Sequence, residues 1–277
     1  MKFLYSLAGM ALAAFAAVGP APATAQNVGQ DLAAGSVIET IKQRGTIRVG
    51  MATFVPWAMR DKNGDLIGFE IDVATKLAAD MDVAIEFVPT AWDGIIPALL
   101  AGKFDVIIGG MSITPARNLT VNFTSPYANS SLGVMANKKL AEGLAWPDGY
   151  NSSDVTFVCR RGAPPCVYIQ EHFPKATLRQ FDDQGQTLQE VLNGNAHVMM
   201  SSQPLPAFTV YDHPDVVFAP TKEKIDPGNE AFALRKGDPD ALNFFSNWIL
   251  LNRSSGWLQA RHEYWFGGRP WADQVAN

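Results

Sequence analysis

Cysteine and histidine are scarce in this 277-residue chain, two and four residues, and no histidine stands beside the cysteines at ligand spacing. That excludes a zinc site of mixed cysteine and histidine. Basic runs are missing as well, and the formal charge is −5, which argues against nucleic acid or an anionic membrane as partner. Beyond the first 25 residues no apolar stretch is long enough to cross a bilayer. There is no internal repeat, and no low-complexity segment outside the N-terminal region. No cofactor motif is read, so none is expected. What is present is a globular composition, 47% hydrophobic, 18% charged and 10% aromatic. It suffices for two modest domains.

Residues 1–25 stand apart. Lys2 precedes an apolar run from Phe3 to Val18, and Ala23-Thr-Ala25 stands before Gln26. A charged start, a short apolar core and a small-x-small site describe a secretory signal peptide, cleaved near Ala25/Gln26. An exported, periplasmic protein is expected, without a lipid anchor because no cysteine follows the cleavage site. Export places Cys159 and Cys166 in an oxidising compartment. There a disulfide is the leading reading and two buried thiols the alternative.

The rest alternates between strand and helix. Val37, Ile38 and Ile41 lie at helical spacing between Ser36 and Arg44, and Gly45 ends that helix. Strands are expected at Thr46–Gly50 and Ala84–Val88, with helices ending near Asp80 and at Ala101. A second set follows, with strands at Asp154–Cys159, Thr177–Phe181 and Ala196–Met200. An apolar strand, Glu230–Leu234, precedes a long helix opened by Asp238-Pro-Asp240. This alternation predicts an α/β fold with mainly parallel sheets.

One stretch organises the chain, Asp105-Val-Ile-Ile-Gly-Gly-Met-Ser-Ile-Thr-Pro-Ala-Arg117. Its β-branched run suits a strand buried on both faces. Gly109 and Gly110 end the strand and let a ligand approach the backbone. Thr114 reads as a helix N-cap and Pro115 as the first helical residue, which puts Arg117 in the first turn. A hydroxyl at Ser112 and a guanidinium therefore meet at the carboxyl end of a strand, where open α/β sheets bind ligands. A guanidinium donates two parallel bonds to a carboxylate. The bland alternative is an ordinary βα turn with a surface arginine.

Several segments, taken in order, resemble one family. They are Gly64-x-Leu-Ile-Gly-Phe-Glu-Ile-Asp72, Trp92-Asp-Gly-Ile-Ile-Pro97, Gly102-Lys-Phe-Asp-Val-Ile-Ile108, Ser112-x-Thr-x-x-Arg117, Asn122-Phe-Thr-Ser-Pro-Tyr127, Leu234-Arg-Lys-Gly-Asp238 and Trp265-Phe-Gly267. The chain is similar to the bacterial family-3 extracellular solute-binding proteins, the periplasmic amino-acid receptors of ABC importers. The resemblance implies a two-lobed periplasmic-binding-protein fold of type II, with the ligand clamped between lobes joined by two hinge strands. Lobe one would be 36–132 plus 232–270 and lobe two 133–231, with the hinges at Ser131–Ala136 and Glu230–Leu234. It further implies a small carboxylate or amino-acid ligand, an inner-membrane ABC permease as partner, a monomer and no enzymatic activity.

Carried over residue by residue, the resemblance gives Arg117 and Ser112 to the ligand carboxylate, beside Gly110. It sets Phe54 and Trp92 about the ligand side chain, and Glu70 where some members face a basic group. Phe54 and Trp92 also read as core aromatics, and Glu70 as a helix N-terminal acid favoured by the dipole. Two departures stand out. The family's ammonium-binding aspartate falls on Ser202, flanked by Ser201. The lobe-two loop that donates a backbone N–H is Gly162-Ala163-Pro164, and proline has none to give. Either another acid (Glu70, Asp226 or Glu230) replaces the aspartate, or the ligand lacks a free primary ammonium. In the second case Phe54, Trp57, Trp92, Met111 and Met200 are expected to hold a methylated ammonium. The alternative function is an enzyme similar to the periplasmic cyclohexadienyl dehydratases. It needs a general acid that Ser201-Ser-Gln-Pro-Leu205 does not offer.

Overall fold

The computed structural model describes residues 35–275; the leader expected over 1–25 lies outside them. Local signals set the first helix among the described residues, Val37–Arg44. Ser36 Oγ accepts the Ile38 N–H, and Gly45 turns left-handed (φ 67°) to end it. The strands that follow are β1 (Thr46–Met51), β2 (Met59–Arg60), β3 (Leu66–Ile67), β4 (Ala84–Pro89), β5 (Val106–Ile107) and β6 (Asn122–Phe123). Then come β7 (Ala128–Asn137), β8 (Thr156–Arg160), β9 (Thr177–Phe181), β10 (Val198–Ser202), β11 (Val217–Phe218), β12 (Ile225–Glu230) and β13 (Ala233–Leu234).

Two large sheets result, with β2 and β3 forming a separate antiparallel pair, and the molecule is mixed α/β with a lobe around each large sheet. The first runs β4-β1-β5-β13-β6; the second runs β11-β7-β10-β8-β9, with β12 also pairing β7. In the first, β1 is flanked in parallel by β4 and β5. Ile47, Val49, Val106 and Ile107 are fully buried, as a sheet covered on both faces requires. Gly50 in β1 cannot carry a side chain, because a Cβ there would stand 2.3 Å from the Phe104 ring.

The chain passes between lobes twice, from β6 into β7 and from β12 into β13. The apolar run Glu230–Leu234, expected as one strand, is divided by this crossing. Glu230 pairs with Ala128 in the second sheet, whereas Ala233 pairs with Ile107 and Phe123 in the first. A strand cannot continue when its hydrogen-bond partners change sheet. The late helix Pro239–Ser254 then returns to the start of the chain. Its cap, Asp238, accepts from Ser36 Oγ (2.9 Å) and the Val37 N–H (2.7 Å). The first lobe is thus built from both ends of the chain. Among the described residues no helix is long and apolar enough to cross a membrane.

Candidate functional site

The site is assembled where β5 and β8 end, one from each lobe. After β5, Gly110 adopts φ 63° and its N–H donates to the Tyr127 hydroxyl (3.1 Å). Thr114 caps the short helix Pro115–Asn118 by accepting the Arg117 N–H (3.2 Å). That cap fixes the root of the Arg117 side chain. Its Nη1 donates to the Ser112 carbonyl (2.9 Å), and its Nη2 reaches the other lobe to donate to the Gly162 carbonyl (3.2 Å). Burial lowers the Arg117 pKa to about 10, so the group stays charged at neutral pH. No ion pair among the described residues includes it.

From the second lobe, β8 carries Cys159 and Arg160 into the loop before the helix Pro164–His172. Cys159 and Cys166 are disulfide-bonded, with Cα atoms 5.6 Å apart. The Ala163 N–H donates to the Arg160 carbonyl (3.1 Å) and is therefore engaged inside the loop. Ala163 is buried and packs with Trp92 and Ile95 of the first lobe. A Cβ at Gly162 would lie 3.3 Å from Asp93 Cα, so the lobes touch here. Replacing both cysteines by serine is expected to lower stability by about 2 kcal/mol, because so short a loop constrains the unfolded chain only modestly. Urea unfolding checks this; an unchanged midpoint would contradict it.

Arg160 was not among the residues singled out from sequence. It is only 7% exposed, and its guanidinium lies 5.0 Å from the Phe54 ring centroid and 4.5 Å from that of Trp92. Arg117 stands over the same Trp92 ring at 5.6 Å. Phe54 and Trp92 are thus brought together, but the cation they hold is the protein's own. Trp57 stacks beside Phe54 (ring centroids 6.5 Å apart) and also packs against Phe69 and Phe266, whereas Met200 lies elsewhere, in the second lobe's core. Burial, then repulsion from Arg117, lowers the Arg160 pKa to about 10, with Asp183 opposing. Its Nε has no hydrogen-bond partner among the described residues. No local pattern marks it: β8 is buried at every position from Phe157 to Arg160, so alternation does not tell Arg160 from Arg161.

Ser202 ends β10 opposite Leu132, and the buried Ser201 hydroxyl donates to Gln184 Oε1 (3.4 Å). No carboxylate replaces the aspartate on this strand. Glu70 is buried behind Gly110, where its Oε1 accepts from the Tyr127 hydroxyl (2.5 Å). Glu230 lies at the crossing between lobes, bridges to Ser112 and accepts from Ser130 Oγ (2.5 Å). Burial raises Glu70 to about 8, against the Tyr127 bond, and raises Glu230 to about 7. A cavity of about 460 Å³ opens between the lobes on Thr53, Thr90, Trp92, Arg160, Asp183 and Gln184. Arg117 is not one of its walls.

The chain as a whole is similar to known proteins. Residues 47–268 match the sequence model of the bacterial extracellular solute-binding proteins, family 3. The chain is similar to the L-cystine-binding protein TcyJ of Escherichia coli (strain K12), at 27% identity over 83% of this chain and 86% of that protein. Among solved structures it is similar to the ancestral amino acid-binding protein AncCDT-1, described as a precursor of cyclohexadienyl dehydratase. That match has 37% identity and a TM-score of 0.76, over 84% of this chain and all of the other. A binding component of an ABC transporter from Wolinella succinogenes, complexed with lysine, matches at 33% identity and a TM-score of 0.77. It covers 83% of this chain and 99% of that one.

Proposed function

Because the chain belongs to the bacterial extracellular solute-binding proteins of family 3, we propose that it is the periplasmic substrate-binding component of an ABC importer for a polar amino acid or amino-acid-like small carboxylate. One observation carries the reading. Arg117 is a charged guanidinium beyond the carboxyl end of β5, which pairs in parallel with β1, with no acidic partner among the described residues and a bond to the opposite lobe. The ligand carboxylate enters the open cleft and takes the donors that Arg117 and Ser112 offer on lobe one (36–132 plus 232–270). Lobe two (133–231) then closes over it by a hinge motion. The Gly162-Ala163-Pro164 loop and Ser202 arrive with lobe two. The closed monomer is the form a membrane permease recognises.

The test is a thermal-shift screen of the exported chain against amino acids, betaines and small carboxylates, each paired with its methyl ester. A ligand at about 100 times its Kd adds about 2.7 kcal/mol to stability. The solute that raises Tm is expected to lose the effect as its ester. An ester that stabilises equally would remove the carboxylate from the reading.

The similarity to AncCDT-1 favours a second reading, an enzyme like cyclohexadienyl dehydratase. Against it, Ser201 and Ser202 supply no acid, and the two glutamates of raised pKa are buried. Incubation with prephenate or arogenate is expected to give no product.

A further inference from the structure

We infer that the cleft selects a small dicarboxylate, with one acid group on Arg117 and the second on Arg160. The inference rests on the binding-protein reading and names its substrate class. Arg160 is nine-tenths buried and lines the interlobe cavity, and its Nε has no partner among the described residues. No ion pair among the described residues includes it. Asp183, the nearest acid to influence it, is committed to its own helix, accepting the Gln186 N–H at 3.0 Å. The rings of Phe54 and Trp92 stabilise the cation but offer no acceptor in the plane of the guanidinium.

The cavity wall also carries Asp182 and Asp183, but Asp182 is paired with Arg161 and Asp183 caps its helix, which leaves Arg160 as the wall's unpaired charge among the described residues. Two guanidiniums stand over one Trp92 ring, at 5.6 and 4.5 Å from its centroid, Arg160 in the cavity wall and Arg117 outside it with its Nη atoms on the Ser112 and Gly162 carbonyls, which a carboxylate would have to displace. The strand end that would neutralise an ammonium carries Ser201 and Ser202 instead. Arg160 also fills the space between Phe54 and Trp92 that a cationic ligand side chain would need, which sets lysine and arginine aside. A carboxylate presented to that guanidinium accepts two parallel charge-assisted bonds and completes it.

The experiment is calorimetry with glutarate, L-glutamate, butyrate and L-lysine on the wild type, Arg160→Leu, Arg160→Gln and Arg117→Ala. The glutamine variant keeps a polar head should leucine perturb folding, and circular dichroism checks both. Wild type is expected to bind glutarate or L-glutamate and not lysine. Both Arg160 variants are expected to lose at least about 30-fold for the dicarboxylates, with butyrate unchanged. Lysine binding by the wild type, no dicarboxylate binding at about 10 mM, or dicarboxylate affinity within about threefold in both Arg160 variants overturns the inference. Should the wild type bind none of these solutes and none in the thermal-shift screen, the binding-protein reading itself falls; an effect confined to Arg117 removes the dicarboxylate inference alone.

Discussion

Arg117→Ala is expected to weaken binding of the solute selected by the thermal-shift screen by about 2–4 kcal/mol, or roughly 30- to 1,000-fold in Kd. The size follows from what the substitution leaves behind. A carboxylate drawn into a closed cleft has lost its water, and without the guanidinium it keeps only neutral donors. The variant also removes the bond from Nη2 to the Gly162 carbonyl, one of the contacts that span the lobes. Dissociation should therefore quicken more than association slows. Arg117→Lys is expected to fall between the two, since an ammonium keeps the charge but cannot match both carboxylate oxygens in a plane. Isothermal calorimetry decides the matter. An Arg117→Ala protein that binds as tightly as the wild type would remove the central residue of the site.

Glu70→Gln is expected to flatten the dependence of stability on pH. Glu70 has a folded-state pKa of about 8, raised from 4.5 by burial. The folded protein therefore holds this proton more tightly than the unfolded chain does. The stability it contributes is fully present below about 4.5 and is lost as pH rises through about 8. At about 1.4 kcal/mol per unit, the loss is on the order of 5 kcal/mol across that window. Glu230, raised by burial to about 7, adds a loss of the same sign. Glutamine stands in for the protonated acid and accepts the same bond from the Tyr127 hydroxyl. The stability of Glu70→Gln relative to wild type should therefore improve steadily from about pH 5 to about pH 9. Urea unfolding of both proteins across that range tests it, and a difference that stays flat with pH would show that Glu70 ionises as freely folded as unfolded.

The two glutamates bear on the site without lying in its cavity. Glu70 holds the Tyr127 hydroxyl that receives the Gly110 N–H, and Glu230 closes the crossing beside Ser112. From sequence, Glu70 read equally as a helix-start acid or a ligand contact. The choice turned on whether Tyr127, 57 residues away, reached it first. No local pattern contains that contact.

Determined by sequence alone were the features whose cause is local. Ser36, Thr114 and Asp238 cap helices because a short oxygen-bearing side chain precedes a helical run, and Gly45 ends one because only a residue tolerant of positive φ fits there. The ordered motifs from Gly64 to Gly267 carried the family, and with it the place of Arg117 at the end of β5. Tertiary structure alone decided the remainder. Glu230–Leu234 became parts of two strands because its neighbours in the ladder belong to different lobes. Ala163 spends its N–H on Arg160, a consequence of the loop's own fold between two bonded cysteines. Arg160 sits between Phe54 and Trp92, whose positions lie more than 60 residues earlier, because closing the lobes brings the end of β8 onto them. A side chain's propensity is set by its neighbours in the chain. The partner that gives a buried charge its meaning is set by which distant segments the fold presses together.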